Sequence, residues 1–175
     1  MEASILLWIQ ENLRYDWLNP IVKGITYLGD AGIFWIVLSL ILLCIPKQRK
    51  LGLTCGLSLI FDLLSVNLFI KKAVARTRPY IAIDELERII EAQSDYSFPS
   101  GHTAASFAVA TVLLMRAPKK LSIPMFVMAC LISLSRLYVG VHYPTDIIGG
   151  AIVGTLCGVL AVYVVDFIWK KVSKK

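Results

Sequence analysis

The sequence predicts an all-α, polytopic membrane helix bundle with five to six spans plus an N-terminal interfacial helix. Three observations carry this. Of 175 residues, 57% are hydrophobic and only 17% charged, with a mean hydropathy of +0.71, whereas soluble domains carry about 25% charged residues. The apolar residues gather in runs close to the roughly 20 residues that cross a hydrocarbon core as a helix. The charges collect between those runs rather than along one face of them. Within lipid the backbone must satisfy its own hydrogen bonds, so continuous apolar runs of this length fold as helices. A disordered chain, a coiled coil and a water-soluble single domain are excluded. One membrane-embedded domain over residues 1–175 is expected, with 1–23 as an amphipathic N-terminal segment and 50–165 as the working helices.

Taken in order, residues 3–18 set Ile5, Leu6, Trp8, Ile9, Leu13 and Trp17 against Glu11, Arg14 and Asp16, the pattern of an interfacial helix. Without a basic start they are not a cleavable signal peptide. Residues 24–46 form an apolar run with one charge, Asp30, and residues 51–70 one with only Asp62. The run 100–115 follows Pro99 and holds only His102, 121–141 holds only Arg136, and 147–165 holds no charge. These are five expected spans. A sixth hidden in 3–28 would move the N-terminus to the other side without reversing the later spans. The connecting segment 80–98 contains Asp84 to Glu91, expected as a short amphipathic helix with Leu86, Ile89 and Ile90 on one side, a lid over the site or a cover for the bundle.

The net charge of +6 comes from 18 Lys and Arg against 12 Asp and Glu. In a membrane protein this reads as loop bias. No basic stripe with interleaved aromatics appears, so no nucleic-acid partner is expected. The side holding 46–50, 116–120 and 166–175 carries ten bases and one acid, Asp166, and is expected to be cytoplasmic. The opposite side carries eight bases and ten acids, with Asp62 left inside a span. The four cysteines, Cys44, Cys55, Cys130 and Cys157, all fall in apolar runs without CxxC spacing, so burial is expected and neither a disulfide framework nor a zinc site is.

Chemistry-bearing residues gather on the outer side, against the positive-inside tendency. Lys71 and Arg78 are seven apart, so a continuing helix places them on one face as an anion clamp ahead of Pro79. The only two histidines lie at the starts of spans on this side. His102 follows Pro99-Ser100-Gly101, a helix entry whose free N–H groups attract an anion. His142 precedes Asp146 by four residues, placing a carboxylate where it can fix the ring tautomer. Arg136 adds a third cation. Antiparallel spans bring these ends together, so a phosphate held by Lys71, Arg78, Arg136 and the Ser100–His102 amides faces both imidazoles. One can attack phosphorus while the other protonates the leaving oxygen, and the fixed cations stabilise the transition state. Two histidines among cations repel a dication, so no metal or other cofactor is expected.

Three spaced motifs, Lys71 through Arg78-Pro79, Pro99-Ser100-Gly101-His102, and Ser135-Arg136 through His142 to Asp146, resemble those of the type-2 phosphatidic acid phosphatase family. This is the membrane branch of a superfamily shared with vanadium haloperoxidases. The resemblance covers about residues 50–165. It implies His142 as the nucleophile that becomes phosphohistidine, Asp146 as its orienting group and His102 as general acid and later base. It also implies Lys71, Arg78, Ser100, Gly101 and Arg136 as phosphate ligands, with no metal.

The implied activity is hydrolysis of a lipid phosphate or diphosphate at the extracytoplasmic face of the cell membrane. Undecaprenyl diphosphate, phosphatidylglycerophosphate and phosphatidic acid are the candidate substrates. A phosphotransferase using the same site is the alternative; a transporter is disfavoured because ionisable residues collect at one end. Lys72 and Arg76 are read as charges of the substrate neighbourhood. Asp62, on the face opposite Lys71 in a regular helix, is read as a buried polar contact, with Ser65 or a neighbouring helix. Gly150, Gly154 and Gly158, like Ala104, Ala105, Ala108 and Ala110, are read as a scaffold for close helix packing.

Overall fold

The computed structural model describes residues 1–172; Lys174 and Lys175 of the expected cytoplasmic tail lie outside the described residues. The described residues form helices joined by turns and irregular segments, without strands. Its helices are α1 (Glu2–Leu13), α2 (Asn19–Leu28), α3 (Ile33–Cys44), α4 (Arg49–Asp62), α5 (Lys71–Val74), α6 (Pro79–Ala82), α7 (Gly101–Arg116), α8 (Lys119–Tyr138) and α9 (Pro144–Val172). Between α4 and α5 the rod continues without a stop, but widens to π-helical winding over Leu63–Ile70.

Three described runs are long and apolar enough to cross a membrane: Pro46–Ala82, Lys119–Tyr138 and Pro144–Lys171. Asn19–Leu28 and Asp30–Cys44, bent by 45°, make a fourth if the pair is one span. At 16 residues α7 is shorter than these, and α1, at 12 residues or about 18 Å, is too short to cross. Length and composition therefore give three or four spans, fewer than the five to six expected.

The bundle is organised around α7, which packs against α3, α4, α8 and α9. A helix with neighbours on every side needs small side chains, and α7 buries Ala104, Ala105, Ala108 and Ala110. Its tightest partner is α9. A methyl group at Gly150, Gly154 or Gly158 would lie 2.7, 2.1 or 2.5 Å from the carbonyl oxygens of Ser100, Ala104 and Ala108 respectively. The glycine stripe is thus scaffold within the chain, and it sets the two backbones against each other. In lipid, association depends on such close packing because hydrocarbon supplies no hydrophobic drive between helices. Trp35 of α3 adds a polar tie, its Nε1 donating to Ser106 Oγ at 2.9 Å. At the end away from the histidines, Asp166 of α9 joins Lys50 of α4 at 2.6 Å and Arg116 of α7.

Several expectations are corrected. Residues 24–46 are not one helix: the chain breaks at Gly29–Gly32, where Ala31 and Gly32 take left-handed φ values of 49° and 66°. Asp30 sits at that break instead of mid-span. Residues 84–91 form no helix; Leu86 and Ile90 are buried nonetheless, with Ile90 packed against Tyr138, Val139 and Val141. Burial of an apolar pair close in sequence does not need a helix when a neighbouring wall receives it. The helix carrying Lys71 ends at Val74, and Ala75 turns left-handed. Lys71 and Arg78 therefore converge through a chain reversal, and Pro79 opens α6 instead of stopping a helix. Cys44 is exposed, not buried. Asp62 is buried but its Oδ1 has no hydrogen-bond partner, and it lines the same cavity as Lys71. The π winding explains this: with i→i+5 bonding, the nine residues from Asp62 to Lys71 make about two turns instead of two and a half.

Overpacking a close helix contact costs about 1–3 kcal/mol. Gly154→Ala is therefore expected to lower the melting temperature in detergent. Gly56→Ala, where an added methyl meets nothing within 4 Å, is expected to leave it unchanged or raise it. Equal melting of both variants would contradict the α7–α9 packing.

Candidate active site

One end of the bundle gathers the residues the motifs point to. A cavity of about 640 Å³ is lined by Lys71, Arg78, Gly101, His102, Arg136 and His142. Lys71 comes from α5, Arg78 from the turn before α6, and Gly101 and His102 from the first turn of α7. Arg136 comes from the last turn of α8, and His142 from the bend between α8 and α9. Ser100 and Asp146 stand behind this wall, both fully buried.

His142 is held from both sides. Asp146 Oδ2 faces its Nδ1 at 3.2 Å, and the Arg78 guanidinium Nη1 lies 3.3 Å from its Nε2. An Nδ1–H donated to the carboxylate leaves the lone pair on Nε2, toward the cavity. Burial pushes the imidazole down to about 3, with the Arg78 and Arg136 charges acting in the same direction and Asp146 opposing them. The ring is therefore neutral at pH 7 and free to attack.

Asp146 is itself saturated. Its Oδ2 also accepts from Ser97 Oγ at 2.5 Å and from the Tyr143 N–H at 2.9 Å. Its Oδ1 accepts from Arg76 Nη1 at 2.6 Å. Arg76, read from the sequence as a charge near the substrate, instead lies behind the catalytic wall, absent from the cavity lining.

The three cations share little direct compensation. Lys71 and Arg78 both reach one carboxylate, Asp95 of the 83–100 segment: Lys71 Nζ meets Oδ2, and Arg78 Nη2 meets Oδ1 at 2.5 Å. Burial pushes the Asp95 carboxyl up, but the hydrogen bond and charge of Lys71, together with Arg78, outweigh it and hold it below the usual carboxylate range. The segment expected as a lid thus reaches the site through an acidic side chain, not through a helix. Arg136 is 1% exposed. Its Nη1 donates to Thr26 Oγ1 at 2.6 Å, while Nε and Nη2 have no partner. Buried N–H groups are almost always bonded, so these two donors call for an acceptor that the protein itself does not supply.

His102 packs on the α2–α3 break. A methyl at Gly29 would come within 2.6 Å of its Cδ2, so only glycine admits the ring there. Its Nε2 lies 2.7 Å from Asp30 Oδ1. Ser100 caps α7, its Oγ accepting from the Thr103 N–H and from Thr103 Oγ1 at 3.1 Å. It does not line the cavity, whereas Gly101 does, under Lys71, whose Nζ would stand 3.8 Å from an added methyl.

Away from the cations the cavity is mostly apolar, running past Ile36, Leu40, Leu43, Leu59, Ile60 and Leu63, with Ser39, Asp62 and Asn67 as its polar members. A second apolar cavity of about 650 Å³ shares Leu43, Gly56 and Ile60 with it and continues to Trp169 near the far end of α9. The arrangement can hold a phosphate at one end with a hydrocarbon chain leading away from it.

Sequence reasoning missed Asp95, Asp30, Ser97, Thr26 and Glu2. Asp30 carried a usable signal, a lone acid in an apolar run. Asp95 and Glu2 carried none, since their partners are 24 and 74 residues distant.

The sequence matches the PAP2 superfamily over residues 50–170. It is 33% identical over 130 residues to an undecaprenyl-diphosphatase of Sulfolobus acidocaldarius, covering 74% of this chain and 63% of that protein. With a decaprenylphosphoryl-5-phosphoribose phosphatase of Mycobacterium tuberculosis it shares 32% over 164 residues, 91% of this chain and 88% of that one. The fold aligns with the crystal structure of Aquifex aeolicus LpxE at a TM-score of 0.80 and 28% identity, over 93% of this chain and 94% of that one. With the motifs, the cavity and these relatives together, the chain belongs to the PAP2 superfamily.

Proposed function

We propose that this chain is an integral membrane lipid phosphatase that hydrolyses a lipid phosphate or diphosphate through a phosphohistidine on His142, without a metal. The observation that carries the reading is the pair of unpartnered donors of buried Arg136 in a cavity that also holds Lys71, Arg78 and both histidines and opens into an apolar groove. The relatives named for polyprenyl and sugar-lipid phosphates support the substrate class; undecaprenyl diphosphate, phosphatidylglycerophosphate and phosphatidic acid are the candidates. In this reading residues 1–175 are one membrane-embedded domain, with 1–23 lying at the interface and 50–165 forming the catalytic helices.

In the first step Nε2 of His142 bonds to phosphorus as the bond to the leaving oxygen breaks. His102 supplies the proton to that oxygen. Asp30 fixes Nε2 of His102 as the donor on its own side, which leaves Nδ1 for the transfer. Lys71, Arg78, Arg136 and the N–H groups at Gly101–His102 stabilise the phosphoryl oxygens, and they act strongly because the three cations are buried. In the second step His102 takes a proton from water, the water oxygen bonds to phosphorus, and the P–N bond breaks. Asp146 holds the Nδ1–H throughout. Substrate enters by exchanging with Asp95 on Lys71 and Arg78.

The bases at 46–50, 116–120 and 166–175 support a reading with that end in the cytoplasm and the site at the extracytoplasmic face. In this topology the bent α2–α3 pair is one span and α7, wrapped by its neighbours, is another, giving five.

Phosphate release from a panel of lipid phosphates and diphosphates in detergent with EDTA tests the chemistry. Wild-type activity is expected to persist in EDTA, and His142→Ala to abolish it. His102→Ala is expected to cost about 10²–10⁴-fold on lipid monophosphates and less on diphosphates, which leave more readily. Turnover by folded His142→Ala, or a magnesium requirement, would refute the mechanism.

Asp95→Asn is expected to lower the inhibition constant for inorganic phosphate several-fold, because the anion no longer competes with a charged carboxylate. Unchanged or weaker inhibition would show that Asp95 does not share the phosphate site.

Sidedness is read by cysteine labelling of intact cells with an impermeant reagent, in a background freed of exposed Cys44. Cysteines placed in 84–91 are expected to label, and those in 46–50 only after permeabilisation. The reverse pattern would overturn the topology.

A further inference from the structure

Arg76 is absent from the lining of the site cavity, yet its guanidinium is tied to three side chains and stacked on a fourth. Its Nη1 donates to Asp146 Oδ1 at 2.6 Å and to Thr145 Oγ1 at 2.7 Å. Its Nη2 meets Glu2 Oε2 at 2.7 Å, and its guanidinium stacks 3.9 Å from the Tyr143 ring centroid. Glu2, from the start of α1, also accepts from the Thr145 N–H at 3.1 Å and from Thr145 Oγ1 at 2.6 Å. A chain Glu2–Arg76–Asp146–His142 therefore runs from the N-terminal helix to the imidazole, with the carboxylate fully buried in the middle.

We propose that Arg76 is a positioning residue that sets the basicity of His142 through Asp146, and that Glu2 moderates its charge. A carboxylate shared with a guanidinium is a weaker partner for an imidazolium than a free one. By drawing on Asp146, Arg76 lowers the basicity of a His142 ring that burial already holds neutral. It also makes the ring a better leaving group when the P–N bond breaks, with the electron pair returning to Nε2 and water's proton passing to His102. The other charges facing His142 are Arg78 from the turn before α6 and Arg136 from α8. Asp95 lies beyond Arg78, and Lys71 and His102 stand across the cavity. All of them except Arg76 and Glu2 act from the substrate side, so only the Arg76–Glu2 pair can tune the ring without touching phosphate. The catalytic reading of His142 rests on the proposed function; its basicity does not.

The test uses the full chain in detergent with isotope-labelled histidine. Only two histidines are present, so a His102→Ala background leaves the His142 ring alone in the nitrogen spectrum. Arg76→Gln is expected to raise its titration midpoint by about one pH unit, as loss of a nearby cation at intermediate dielectric does. Arg76→Lys is expected to raise it less than half as far, and Glu2→Gln is expected not to raise it. No shift or a downward shift in Arg76→Gln overturns the proposal, as does an equal rise in all three variants, which would indicate loosened packing. With His102 restored, phosphohistidine trapped at steady state by an alkaline denaturing quench is expected to be several-fold higher in Arg76→Gln than in wild type, and an unchanged level overturns the leaving-group role. If wild type forms no phosphohistidine, the phosphatase mechanism fails while the titration still decides the role of Arg76.

Discussion

The constraint on which this structure depends is the burial of three cations, Lys71, Arg78 and Arg136, around one cavity. Like charges in low dielectric repel strongly, and burying each one costs several kcal/mol unless it is paired. The fold answers with acids brought from distant parts of the chain: Asp95 bridges Lys71 and Arg78, and Asp30 reaches His102 from the α2–α3 break. Arg136 is left with two donors unbonded. The compensation is incomplete, and in the proposed function a phosphate dianion completes it.

Much else follows from that arrangement. The π winding in Leu63–Ile70 turns Lys71 onto the cavity wall. The left-handed turn at Ala75 brings Arg78 back beside it. The break at Gly29 admits the His102 ring and delivers Asp30 to it. Each is a local departure from regular helix, and each sits where a charged group must be aimed. Departures of this kind cluster at functional sites because the surrounding structure is needed to maintain them.

The spacing of Lys71, Arg78, His102, Arg136, His142 and Asp146 made most of the site legible in sequence, because chemistry fixes both the residue types and their intervals. The existence of the long helices was legible from composition. The broken course of residues 24–46 was not, since Asp30 interrupts an apolar run no more visibly than a mid-span charge does. The helix expected over 84–91 failed because its apolar spacing fits a helix, yet Leu86 and Ile90 are buried without one. Asp95, Ser97 and Glu2 stayed hidden because their partners are set by tertiary approach. Arg76 was visible as a charge, but its direction, away from substrate and into Asp146, depends on the turn at Ala75.

The backbone-to-backbone approach of α7 and α9 has a consequence for how such a chain can diverge. His102 rides on the first turn of α7 and Asp146 on the first turn of α9, so their separation is fixed by glycine and alanine positions rather than by bulky side chains. The lipid-facing surfaces, with Ile148, Ile152, Leu156 and Leu160 exposed along α9, need only be apolar. Mutational drift can then replace most of the outer surface while the inner stripe holds the catalytic groups in register. An architecture of this kind is expected to keep its shape at low identity, and the Aquifex aeolicus alignment, 28% identical at a TM-score of 0.80, has that character.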